Sequence, residues 1–147
     1  MTPLEKRKNE RGATLVEFAI GATVFLIAMF AVIEFGRLLW THNALADAAR
    51  RGARYAAVHK ASDVAAVRNV VVYGNPAGGA KPIVNNLSTG QVQVDYPSFG
   101  VGAGTVSVRI EGYEFSFVIP IIGTTISMPN YATTLTGESA GLEPPNL

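Results

Sequence analysis

No cysteine occurs anywhere in the 147 residues. Disulfides, thiolate metal sites and thiol nucleophiles are thereby excluded, and any extracytoplasmic domain must stand on its core alone. Charge is also scarce. Asp, Glu, Lys and Arg make up 16% of the chain against 48% hydrophobic residues, so it is neither a disordered tail nor an average soluble domain. The formal net charge of +1 gives no strongly basic field, so nucleic acid is not an expected partner. The length allows one modest domain plus an appendage.

What charge there is lies unevenly. Residues 1–12 carry Lys6, Arg7, Lys8 and Arg11 against Glu5 and Glu10, a surplus of +2 that leaves −1 for the rest. An apolar run, Ala13–Ile33, follows this basic leader, with Glu17 as its only ionisable residue. At about 1.5 Å per residue the run spans roughly 31 Å, matching a hydrocarbon core of about 30 Å. It is too long for a secretory h-region, and no small-residue cleavage site follows it. Glu34 and Arg37 mark the far interface, and Trp40 suits the headgroup level. The dense basic leader favours a cytoplasmic N-terminus, with the C-terminus on the far side of the membrane.

The helix is expected to continue past the membrane. Thr41–Lys60 is alanine-rich and free of proline. Leu45, Ala48, Ala49, Gly52 and Ala56 fall on one stripe at helical spacing. Asp47, Arg50, Arg51 and Arg54 cover the other side, with Asp47 and Arg51 placed for an i,i+4 ion pair. The stripe needs a cover, either from the rest of the chain or from neighbouring helices.

Glu17 is out of place in such a span. A charged group deep in a membrane costs about 2.5–3.5 kcal/mol on insertion scales. Four residues from the start, it can partly snorkel. A cut between Gly12 and Ala13 would do more. It would give Ala13 an α-amine of pKa about 7.7–8 and make Glu17 the fifth residue of the shortened chain. Amine and carboxylate could then pair, within one chain or between neighbours, and two costly charges would neutralise each other.

This pattern resembles the type IV prepilin class, and its details are closest to the TadE-like minor pilins (pseudopilins) of tight-adherence, or Flp, pilus systems. The stretch Arg11-Gly12-Ala13-Thr14-Leu15-Val16-Glu17-Phe18-Ala19 carries the resemblance. Glu34-Phe35-Gly36-Arg37 and Ala48-Ala49-Arg50-Arg51-Gly52-Ala53-Arg54-Tyr55-Ala56 are also typical of that family. The resemblance implies cleavage after Gly12 by a prepilin peptidase and an assembly role for Glu17. It implies other pilin subunits, an inner-membrane assembly platform and membrane lipid as partners. The C-terminal part is too large for a major Flp pilin, which points to a minor or initiating subunit.

The expected organisation is a leader (1–12), a long helix (13–60) with its transmembrane half at 13–33, and an extracytoplasmic part (61–147). The expected fold class is α+β: a long helix packed on a small antiparallel sheet. Ser62 or Asp63 is positioned to cap a second element, Val64–Val72, whose valines suit helix or strand. Gln91–Tyr96, Thr105–Val118 and Ala132–Glu138 read as three strands. Pro97–Gly104 reads as a hairpin loop, and Pro120–Pro129 as an apolar loop. The tail Gly141–Leu147 is expected to fray.

Nothing points to a cofactor or a metal, and an enzyme is not expected. Gly100-Val101-Gly102-Ala103-Gly104 lacks the Lys-Ser/Thr of a phosphate loop. His42 and His59 are 17 residues apart on one helix and cannot chelate together. No nucleophile motif supports a catalytic triad. The competing expectation is an uncleaved single-span protein that presents a periplasmic module to an envelope secretion complex.

Overall fold

The computed structural model describes residues 3–98, 104–118 and 125–136, with the backbone alone for 3–11 and for Ser98. The elements run α1 (Pro3–Val58), α2 (Val64–Tyr73), a 3-10 turn (Thr89–Gln91), β1 (Val92–Ser98), β2 (Thr105–Ile110), β3 (Glu114–Ser116), β4 (Thr125–Ser127) and β5 (Tyr131–Thr136). The chain is α+β, as its sequence leads one to expect. It divides into two compact units, Met1–Arg37 and Leu38–Leu147.

Pro3 opens α1 at a position where its missing N–H has no helical partner to lose. The helix then continues through Gly12 without a break, so the expected leader is helical from Pro3 onward. The other end is finished by His59, whose Nδ1 donates to the Tyr55 carbonyl at 2.9 Å while its ring stacks on Tyr55. Such a bond satisfies one of the carbonyls that a helix end leaves open.

Val64–Tyr73 is a helix, which settles the open choice at the valines. Val67, Val70 and Val71 share its buried side. Gly74 stops it in the left-handed conformation (φ 74°), with its N–H bonded to the Val70 carbonyl at 2.9 Å. Asp63 stands at the N-cap but makes no side-chain capping bond.

The three-stranded antiparallel sheet has the order β1-β2-β5. On the central strand Val106, Val108 and Ile110 are buried, while Thr105, Ser107 and Arg109 face the wetter side. Val108 lies opposite Val94 on β1 and Thr133 on β5. The inward residues of β2 join Leu45, Ala48, Ala49, Ala53 and Ala56 of α1 and Val67, Val71 and Val72 of α2 in one apolar cluster. The stripe on α1 is therefore covered by the chain's own sheet and second helix.

Three expectations need correction. Thr105–Val118 is not one strand but two, β2 and β3, in different sheets. Gly112 breaks it at φ 65°, a backbone angle that side-chain-bearing residues rarely adopt. Within Pro120–Pro129, residues 125–127 form β4, which pairs with β3 through Phe115↔Ile126. Pro97 belongs to β1 rather than to a loop. It sits in a register irregularity between Asp95 and Ser98, on an edge strand where the missing N–H is tolerated. The third expected strand is β5, and its last two expected residues, 137 and 138, lie outside the described residues. So do most of the glycine-rich loop and the whole of Gly141–Leu147.

Candidate processing and assembly site

In the first unit, Gly12 and Ala13 are exposed on α1, and a Cβ built on Gly12 would meet nothing within 4 Å. The backbone of Lys6, Arg7, Lys8 and Arg11 is helical, while their side chains lie outside the described residues. Glu17 is exposed one turn beyond Ala13. Its neighbours at i−4 and i+4 are Ala13 and Gly21, both too small to bond it. Among the described residues Glu17 forms no ion pair.

Apolar side chains surround this segment on all sides. Leu15, Val16, Val24 and Phe25 lie about a quarter turn apart around the helix, and all are exposed. A helix that is apolar around its whole circumference needs lipid or other helices about it. Among the described residues one helix is long and apolar enough to cross a membrane: α1, over Gly12–Val58, by length and composition.

Glu34 departs from this pattern. It is 3% exposed and accepts a bond from Arg37 Nη1 at 2.5 Å. Sequence reading placed both residues at an interface but missed that Glu34 is buried. Their i,i+3 spacing was the available sign of the pair.

In the second unit, all five residues of the stripe Leu45, Ala48, Ala49, Gly52 and Ala56 are buried. Thr41 and Ala53 are buried with them. Ala53 was missed because Arg50, Arg51 and Arg54 crowd its sequence neighbourhood. Gly52 is the closest approach. A Cβ there would lie 3.3 Å from Val108 Cγ1 and far inside van der Waals contact with Val71 Cγ2. Only glycine lets α1 sit this near α2 and β2. On the outer side Asp47 pairs with Arg51, while Arg50 and Arg54 are exposed.

His42 and Tyr131 connect α1 to β5 through a 2.8 Å bond between Nδ1 and the phenol oxygen, with the rings edge to face. Burial, and then the neighbouring Tyr113, push the Tyr131 hydroxyl pKa upward. Burial raises that of Tyr96 as well, with the Asp63 carboxylate adding to it. Among the described residues no group of three or more His, Cys, Asp or Glu could hold a metal ion.

Residues 12–54 match the family of TadE-like proteins. No curated protein and no solved structure matches the chain. The matched segment starts at Gly12, takes in Glu17 and the Glu34–Arg37 pair, and ends inside the buried stripe. It is consistent with a TadE-like protein of the tight-adherence pilus system, a pilus-associated protein whose apolar N-terminal helix could span a membrane.

Proposed function

With a TadE-like helix as the premise, we propose that the chain is the precursor of a minor pilin, cleaved after Gly12 by a prepilin peptidase. The observation that carries this is a coincidence of position. The family match begins at Gly12, five residues before the only acid of the apolar run Ala13–Ile33. Cleavage there removes the basic leader and creates an amine one helical turn from Glu17. The carboxylate has no partner of its own among the described residues, and the new amine supplies one.

Gly12 also suits the cut mechanically. A protease needs an extended backbone, and glycine weakens a helix by about 1 kcal/mol relative to alanine. The exposed surface around it leaves room for the enzyme.

In this reading the helix sits in the inner membrane with its N-terminus cytoplasmic, and the α+β part is periplasmic. Major and minor pilins and the assembly platform are its partners, and entry into the pilus is its fate. The chain is a subunit and a peptidase substrate, not a catalyst. Mass spectrometry of the membrane-extracted protein tests this. The expected mature chain starts at Ala13. A chain that keeps Met1 in cells with an active peptidase overturns the proposal and leaves the uncleaved single-span reading.

A further inference from the structure

β1 and β5 are the two edges of the three-stranded sheet, and they differ. β1 carries Pro97, a register irregularity and an exposed Asp95, all features that protect an edge from unwanted pairing. β5 has none of these. It pairs with β2 through six unbroken positions, from Thr105↔Thr136 to Ile110↔Tyr131. Its sequence, Tyr-Ala-Thr-Thr-Leu-Thr, contains no proline, glycine or charge. Among the described residues no strand lies on its outer side. A regular, uncharged edge of this kind is a template for another strand.

The inward side of β5 is also incomplete. Leu135 and Thr133 are only half-buried, whereas Val106 and Val108 opposite them on β2 are buried. A strand added outside β5 would finish covering them.

The geometry points to β5 of a second copy of the chain as that strand, paired antiparallel. The dimer sheet would have the order β1-β2-β5-β5-β2-β1. Self-complementarity selects this occupant. When two β5 strands pair about Thr134, each Thr134 faces its own counterpart, Ala132 faces Thr136, and Thr133 faces Leu135. Threonine–threonine pairs are favourable across strands, and no like charges meet. The contact uses the same patch on both copies, so it closes at two and cannot propagate into a fibre. It involves only the α+β part and stands independently of the leader's fate.

The absence of cysteine makes the test clean. Thr134 is exposed, and its bond to Ser107 Oγ is a weak surface one at 3.2 Å, so Thr134→Cys should fold normally. Opposed residues in an antiparallel pair have Cα atoms about 4.5–5.5 Å apart, within disulfide reach. In oxidised membranes holding the full chain, Thr134→Cys should form a disulfide dimer of twice the chain mass. The yield should be several-fold above that of Arg54→Cys, on the exposed side of α1. Coexpressed Ala132→Cys and Thr136→Cys chains should crosslink to each other more than either does to itself. Thr134→Lys should abolish dimers trapped by a lysine crosslinker, and coexpression with Thr134→Glu should restore them as mixed pairs. Crosslinking at 134 no stronger than at 54 overturns the proposal. So does a dominant product whose mass shows a different protein on this edge.

Discussion

Replacing Gly52 with alanine sets two effects of opposite sign against each other. On an exposed helix, Gly→Ala stabilises by about 0.8–1.0 kcal/mol through helix propensity. At Gly52 the new methyl would instead be driven into Val71 Cγ2, with Val108 Cγ1 at 3.3 Å and Val71 Cβ at 3.7 Å. Val71 cannot turn away easily. It is fully buried in α2, and a helical valine has one strongly preferred rotamer. Overpacking of this sort costs about 1–3 kcal/mol. Subtracting the propensity gain leaves a net loss of up to about 2 kcal/mol, centred near 1 kcal/mol, or roughly a 5-fold fall in the folded-to-unfolded ratio. Urea unfolding of the full chain in detergent micelles, followed by protease resistance of the α+β part, reads this directly. With a slope near 2 kcal/mol per molar, the midpoint should fall by about 0.5 M and by no more than about 1 M. In a Val71→Ala background the methyl has room, and the same change should be neutral or stabilising; that reversal is the coupling between the two sites. A single Gly52→Ala variant with a raised midpoint would refute the close approach of α1 to α2.

Glu17→Ala should leave processing intact, with the same N-terminal mass, while lowering piliation; unchanged piliation would remove the assembly role. Tyr131 links stability to alkaline pH. Burial raises its pKa above the ordinary 10.0, so the unfolded phenol ionises first as pH rises. Its contribution is therefore complete below about pH 10 and is lost as pH climbs through the folded value. Ultraviolet titration of tyrosinate alongside alkaline unfolding should show this loss, and Tyr131→Phe should abolish that part of it. The variant should also cost about 0.5–1.5 kcal/mol at neutral pH through the lost bond to His42.

The sequence shows most clearly the features that rest on period. The stripe from Leu45 to Ala56 is readable because i, i+3 and i+4 spacing places those residues on one face, and each proves buried. The alternation of Val106, Val108 and Ile110 likewise marks the inner side of β2. What stays hidden depends on single backbone angles or on contacts distant in sequence. Gly112 shifts the phase of the alternation but does not announce that the next strand joins another sheet. β4 has three exposed residues and no inner face to reveal it, so only its pairing with β3 identifies it. The valines of α2 fit either element by propensity, and packing against α1 and β2 decides. At the candidate site, the oddness of Glu17 is visible from composition alone. The burial of Glu34 is not, because burial depends on the whole fold.

The β3–β4 ribbon is a detour in the chain's path. β2 and β5 are direct neighbours in the sheet, yet both ribbon strands lie between them in sequence. The detour is pinned at its base. Tyr113 donates its hydroxyl to the Asn85 carbonyl at 2.7 Å, the Met128 N–H bonds to the Tyr113 carbonyl at 2.9 Å, and Phe115 is buried. Six register pairs hold β2 and β5 together without help from the ribbon. Scaffold and cassette are therefore separable. Substitutions at the ribbon's exposed positions Glu114, Ser116, Thr125 and Ser127 touch neither the β2–β5 register nor the core packing of Phe115 and Phe117, so this is where the chain can change what it displays while keeping the same frame.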